Sequence, residues 1–283
     1  MEKIANINRT LQTIKKFDFN FKKKFGQNFL VDHNTLSSIV SLSGISKDTL
    51  VIEIGPGIGA LTQYLAEASS KVIAFEIDRT LEPILNETLK DFDNIDVIFE
   101  DFLKADFESV IANEEYSEIY VVANLPYYIT TPIIERIIES NIKFNSMVMM
   151  MQKEVAQRLS AANNTKDFNS LSVFIQYHTE ANIILNVSKN VFIPKPNVDS
   201  AVIKLTRLDQ PRVAVEDETM FFKFVRDCFR MRRKTIKNNL KGYDLKVFEK
   251  VFEENDLSLT RRAESLTLND FANLFNGYHK YTN

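Results

Sequence analysis

From position 50 to about position 207 the chain alternates short apolar runs with segments whose apolar residues recur every three or four positions. The runs at 50–54, 72–76, 97–99, 119–123, 146–150, 172–177 and 201–205 read as strands. Their unbroken apolar character fits strands covered on both faces. The patterns between them, at 60–68, 79–90, 131–140 and 153–160, read as helices. Strands alternating with helices predict βα units and a parallel sheet. Beyond position 207 the strand signal fades and the rest reads as helical, with Pro211 in a polar linker and Thr267 as N-cap of a last helix over 266–275. The expected architecture is a doubly wound α/β domain over 25–207, preceded by an extension over 1–24 and followed by a small all-helical domain over 208–283.

Composition narrows this picture. The single cysteine, Cys228, excludes a disulfide scaffold and fits a reducing cytoplasm. His33, His178 and His279 lie far apart without ligand spacing, so no metal centre is expected. No apolar run approaches the roughly 20 residues of a membrane span. Residues 1–16 are polar, with Ile4, Ile7, Leu11 and Ile14 at helical spacing and no secretory core. The net charge of −3 hides a segregation of sign. Positions 86–118 carry eleven acidic residues against two lysines, whereas 226–241 carry seven basic residues against Asp227 alone. Positions 15–24 add five lysines against Asp18. Concentrated basic segments on an acidic chain fit local binding of a polyanion, or simply a solvated helix face.

Glycine is scarce, seven in all, yet Gly55, Gly57 and Gly59 directly follow the first strand and precede a helix pattern. There the backbone must turn tightly and approach a ligand closely. Glu76 ends the second strand, 21 residues after Gly55, where an acid holds ribose hydroxyls. Together they predict an adenosine-type cofactor. The loop also satisfies the dinucleotide pattern, so NAD stays open. Two features lean towards S-adenosylmethionine. Glu53, just before the loop, opposes a pyrophosphate but suits an ammonium-bearing ligand, and Asp101 after the third strand can accept from an adenine amino group.

The fourth strand runs into Asn124-Leu-Pro126-Tyr127. An exocyclic adenine amine is a poor nucleophile because its lone pair is delocalised into the ring. Acceptors for its two N–H groups, the Asn124 side-chain oxygen and a backbone carbonyl near Pro126, would draw the nitrogen towards tetrahedral geometry. Proline's fixed φ aims the carbonyls of this turn, and Tyr127 offers a flat face for an extruded base. The competing reading is a plain proline turn that caps the next helix.

These segments form an ordered set. Phe25-Gly-Gln-Asn-Phe-Leu30 and Glu53-Ile-Gly-Pro-Gly-Ile-Gly-Ala-Leu-Thr62 are followed by Glu76-Ile-Asp78, Glu100-Asp101 and Asn124-Leu-Pro-Tyr127. Then come Phe192-Ile-Pro-Lys-Pro-Asn-Val-Asp-Ser-Ala-Val202, Arg232-Arg-Lys-Thr235 and Arg262-Ala-Glu264. With them the chain resembles, over nearly its whole length, the 16S rRNA adenine dimethyltransferase family, which modifies two adjacent adenines near the 3′ end of small-subunit rRNA. The resemblance implies a Rossmann-like S-adenosylmethionine-dependent methyltransferase, a cytoplasmic monomer that acts on 16S rRNA within the small ribosomal subunit or its precursor. It implies that Asn28 and Leu30 contact the cofactor, Gly55 and Gly57 lie against it, Glu76 holds its ribose and Asp101 its adenine. Asn124 sits where the methyl is passed. Tyr127 stacks on the target base, with Phe192 on the opposite face. Tyr128 stands where some relatives carry Asn, which bears on the pocket lining.

Arg226, Arg230, Arg233, Lys237 and Lys241 recur every three or four residues and so share a face if 226–241 is one helix. That face reads as a phosphate-backbone contact, to which 22–24 would add. Arg232 would then point to the apolar side and need a salt bridge. Cys228 reads as core, the methionines at 147–151 as a buried strand, His178 as a strand-end residue and His279 as solvated. Phe17, Phe19 and Phe21 alternate, as in an extended segment packing one side or a staple over the cofactor pocket. Two other functions compete: a 23S rRNA adenine methyltransferase of the macrolide-resistance type, and a ribosome-assembly factor with secondary catalysis.

Overall fold

The structure, a computed structural model, describes residues 3–22, 26–112, 114–124 and 129–282. Its elements begin α1 (Ile7–Lys16), β1 (Phe29–Leu30), α2 (His33–Ser43), β2 (Thr49–Ile54), α3 (Ala60–Ala68) and β3 (Lys71–Phe75). They continue α4 (Glu82–Thr88), β4 (Ile95–Ile98), α5 (Phe107–Ile111), β5 (Glu118–Asn124), α6 (Thr130–Glu139), β6 (Ser146–Gln152) and α7 (Lys153–Leu159). After α8 (Ser170–His178) come β7 (Thr179–Val187), β8 (Phe192–Ile193) and β9 (Ser200–Arg207). Four helices follow: α9 (Glu218–Cys228), α10 (Ile236–Asn239), α11 (Leu245–Glu254) and α12 (Leu268–Thr282). Packing groups them into two units, Met1–Ala156 with Asn182–Thr206, and Gln157–Ala181 with Arg207–Asn283.

In the first unit a seven-stranded sheet has the order β4-β3-β2-β5-β6-β9-β7. The pairs from β4 through β6 are parallel, and β9 lies antiparallel against β6. All six residues of β2 are buried, as are Met147–Met151 of β6, so these apolar runs are strands covered on both faces. Winding runs outward from β2 to β3 and β4, then returns to β5 on the other side of β2. The order therefore reverses between β2 and β5, where open α/β sheets bind their ligands.

The N-terminal residues are part of this unit's core. Ile4 is 1% exposed and donates its N–H to Gln63 Oε1 at 3.0 Å, and Lys16 pairs with Glu87 at 3.0 Å. Phe19 and Phe21 pack on the Phe29 ring with centroids 5.8 and 5.2 Å away, whereas Phe17 closes α1 and is not part of an extended run of three.

The second unit corrects two expectations. The run 172–177, expected as a strand, is the helix α8, because the Asn169 side chain caps its first turn in a reciprocal box with Ser172. Residues 157–181 pack with the C-terminal helices: Asn164 N–H donates to the Glu264 carbonyl at 2.7 Å, and the Phe174 ring meets Phe222 at 5.0 Å. His178 accordingly closes a helix, and burial pushes its pKa down to about 4. The basic segment 226–241 is two helices and a turn, not one helix. The Asn239 amide donates to the Cys228 carbonyl at 2.6 Å and accepts from Met231 N–H at 2.9 Å, satisfying backbone groups that the end of α9 sets free. Cys228 is fully buried, and Thr267 caps α12 in a reciprocal pair with Asp270. No helix among the described residues is long and apolar enough to cross a membrane.

Candidate active site

Because β2, β3, β4 and β5 are parallel, the residues that follow their carboxyl ends emerge on one edge of the sheet. Gly55 follows β2, Glu76 follows β3, Asp101 comes just after β4 and Asn124 ends β5. Within the first unit these four line one cavity of about 250 Å³ together with Asn28, Leu30, Glu53, Gly57 and Phe192.

The glycine loop shows why its composition matters. Gly55, Gly57 and Gly59 have φ of +75°, +60° and +85°, a region costly for residues with a Cβ. A Cβ on Gly57 would also stand 3.1 Å from the Phe29 ring, whereas nothing lies within 4 Å of one on Gly55. The loop thus presents bare backbone to the cavity at Gly55.

Two carboxyls flank it. Glu76 is 5% exposed, and its oxygens accept from Gly57 N–H at 3.1 Å and Asp78 N–H at 2.8 Å. Burial nevertheless pushes its pKa up to about 7. Glu53 is 1% exposed, and its Oε2 has no hydrogen-bond partner. Burial pushes it up to about 8; the neighbouring Thr62 hydroxyl opposes this and Glu76 adds to it. An uncompensated buried acid that lines a cavity is complementary to a cation there.

The other side of the cavity is built from segments remote in sequence. β1 pairs antiparallel with β8, so Leu30 lies opposite Phe192, and Val31 N–H donates to the Val191 carbonyl at 2.9 Å. This pairing brings the Gly26–Leu30 stretch and Phe192 to the cavity wall, where Phe192 is 5% exposed. Asn124 Nδ2 donates to the Asn28 carbonyl at 3.2 Å, which orients the amide and turns Oδ1 away as an acceptor. Asp101 accepts from Leu103 N–H at 3.0 Å.

Phe25, Pro126, Tyr127, Tyr128, Lys23 and Lys24 fall outside the described residues. Lys22 is not part of a solvent-facing basic track, since its ammonium lies 2.6 Å from the buried Asp78 carboxylate. Arg226, Arg230, Arg233, Lys237 and Lys241 lie in the second unit and are exposed, and Lys237 is 3.0 Å from Glu249. Arg232 is exposed rather than turned to the apolar side, because the helix has ended before it. Sequence reasoning missed Ile77, which is 48% exposed on the cavity lip, and Phe102, Ile129, Ile133, Met150 and Met151 in its lining. Ile77 carried a signal, an apolar residue between two acids just past a strand. Met150 and Met151 carried none, because a buried strand explains them fully. Among the described residues no group of three or more His, Cys, Asp or Glu is placed to hold a metal ion.

Comparison with known proteins gives a consistent set of relatives. The model of the family described as ribosomal RNA adenine dimethylase matches residues 18–280. A Macrococcus caseolyticus protein named ribosomal RNA small subunit methyltransferase A is 51% identical over 98% of this chain and 97% of its own length. A protein of the same name from Lactococcus lactis is 50% identical over 97% of this chain and 95% of its own. Among solved structures, the 23S rRNA methyltransferase ErmE aligns at a TM-score of 0.69 and 26% identity, covering 89% of this chain and 99% of its own. A dimethyladenosine transferase from Plasmodium falciparum aligns at 0.74 and 24% identity, covering 89% and 98%.

Proposed function

Because the chain belongs to the ribosomal RNA adenine dimethylase family, we propose that it transfers methyl groups from S-adenosylmethionine to N6 of two adjacent adenines near the 3′ end of 16S rRNA, in the cytoplasm, on the small ribosomal subunit or its precursor. The observation that carries this reading is the meeting of Glu53, Glu76, Asp101 and Asn124 in one cavity at the switch point of the sheet. Relatives at about 50% identity carry the small-subunit name, while the 23S enzyme stands at 26%, which favours the small subunit as substrate.

The residues fit the cofactor. S-adenosylmethionine supplies a methyl group on a cationic sulfur. Glu53, ionised, balances the positive charge of its amino-acid part, and bare backbone at Gly55 leaves room for that part, beside Gly57 on the same cavity wall. Glu76 takes the ribose hydroxyls, Asp101 the adenine amino group, and Ile77 packs on the adenine ring from the lip. Asn28 and Leu30 cover the cofactor from the β1 side. An NAD pyrophosphate would face Glu53 and Glu76 without a cation. Calorimetry should show binding of S-adenosylmethionine and none of NAD; the reverse would overturn the reading.

Asn124 Oδ1 accepts one N–H of the target amine, and its own orientation is held by the Asn28 carbonyl. The second acceptor is assigned to the backbone at Pro126 and the stacking face to Tyr127, with Phe192 in the wall of the base pocket. Asn124 does not titrate, so catalysis rests on positioning and on stabilising the positive charge that develops on N6.

The exposed cations Arg226, Arg230, Arg233 and Lys237 supply the sequence-independent contact to rRNA phosphates, with specificity left to rRNA shape and unstacked bases. They stand on a helix end, a turn and a short helix, so a single helical spacing does not put them on one face. Replacing Arg230, Arg233 and Lys237 with Ala should flatten the salt dependence of RNA affinity by a log–log slope of about 2–3, with cofactor affinity unchanged. A slope equal to the parent's would place the RNA track elsewhere.

A further inference from the structure

Asp78 is 2% exposed although it lies in the turn that leaves β3, two residues beyond Glu76. Its side chain caps the following turn by accepting from Thr80 N–H at 3.1 Å and from the Thr80 hydroxyl at 2.7 Å. Capping requires no more than this. Yet two further donors reach the same carboxylate from the N-terminal part of the chain: Lys22 Nζ at 2.6 Å and Gln27 Nε2 at 2.8 Å. Gln27 is itself fixed, since its Oε1 accepts from Lys22 N–H at 2.8 Å. Burial works against the charge on Asp78, but Lys22, Thr80 and Gln27 outweigh it and hold the carboxyl below its ordinary range.

The position of this cluster gives it a consequence. Gln27 stands between Gly26 and Asn28 on the segment that lines the cavity, and the Asn28 carbonyl holds the Asn124 amide. On the other side, Asp78 N–H holds Glu76 Oε1. One carboxylate therefore ties the covering segment to the loop that carries Glu76, and the same segment orients Asn124.

We propose that Asp78 is a positioning residue whose carboxylate, through Gln27 and Lys22, clamps Gly26–Leu30 over the cavity and thereby sets cofactor affinity and the aim of Asn124. The proposal rests on the reading of this cavity as the S-adenosylmethionine site. A plain turn cap would leave the cavity indifferent to Gln27.

The test uses the full-length protein with Gln27→Ala, which removes the covering arm and keeps the cap, and with Asp78→Asn, which weakens both arms. Amide hydrogen exchange over 28–31 is followed without ligand, and S-adenosylmethionine affinity is measured by calorimetry. Gln27→Ala should exchange about tenfold faster over 28–31 and bind the cofactor about tenfold more weakly, the size expected for one hydrogen bond to a charged group. Its thermal midpoint should fall by no more than about 2–4 °C, the shift that a loss of this size produces in a domain this large. In turnover the KM for S-adenosylmethionine should rise and kcat fall, with the KM for rRNA unchanged. Parent-like exchange and affinity in Gln27→Ala would overturn the clamp, whatever Asp78→Asn does to folding. A parent protein that binds no S-adenosylmethionine would sink the cofactor reading, while the exchange measurement would still decide the clamp.

Discussion

Asn124→Ala should lower methyl transfer at least about a thousandfold while small-subunit and cofactor binding stay within a few-fold of the parent. The substitution deletes the acceptor proposed to draw the adenine amine towards tetrahedral geometry, an interaction that would strengthen only as charge develops on N6. It also deletes the bond to the Asn28 carbonyl, which is why a small loosening of the cofactor is expected. Subunit affinity should survive because the contacts assigned to RNA phosphates lie in the second unit, on Arg226, Arg230, Arg233 and Lys237. The variant thus separates chemistry from an assembly role. Loss of subunit binding together with transfer would defeat that separation.

Glu53→Gln should move two quantities in opposite directions. In the ligand-free protein Glu53 is fully buried with a pKa near 8, against an ordinary value of 4.5. A raised carboxyl favours the native state only while it is protonated. Its cost is therefore absent below pH 4.5, grows as pH rises towards 8 and then levels off at a few kcal/mol. Glutamine removes that cost, so the ligand-free variant should be more stable than the parent at pH 8 and equal to it near pH 4. Cofactor affinity should fall about 10- to 100-fold at pH 8, because a cation loses its buried counter-charge. In the parent, affinity should rise with pH through neutrality as Glu76 and Glu53 give up protons, and calorimetry in buffers of different ionisation enthalpy should detect proton release on binding. Thermal denaturation across pH 4–9 checks the stability half. An unaltered pH dependence in Glu53→Gln would show that Glu53 is not the group that titrates.

Much of the site was legible in the sequence, because parallel strands put functional residues at a place that can be counted. An apolar run followed by Gly, Glu, Asp or Asn marks the carboxyl end of a strand, and Gly55, Glu76, Asp101 and Asn124 all meet where that rule puts them. The Phe25-Gly-Gln-Asn-Phe-Leu30 motif and Phe192 were visible separately, but their antiparallel pairing was not, since strands of two residues have no periodicity to detect. The run 172–177 was misread because a short apolar run has the same composition in a buried strand and a buried helix; the capping Asn169 was the deciding signal. The basic segment keeps a helical spacing through a break that depends on Asn239, eleven residues beyond Cys228. Lys22 looked like part of a charge run, and only the fold reveals Asp78 beside it. Pattern shows which residues face a core, whereas a contact between distant segments has to be seen.

Methyl transfer from labelled S-adenosylmethionine to small subunits that lack the modification decides between a small-subunit dimethyltransferase and its rivals. Large-subunit rRNA is treated in parallel, and digested nucleosides are read by mass spectrometry. N6,N6-dimethyladenosine should appear in the small-subunit sample alone, at two neighbouring positions near the 3′ end of 16S rRNA. Product confined to 23S rRNA would make the protein a large-subunit methyltransferase, and no product despite tight subunit binding would make it an assembly factor.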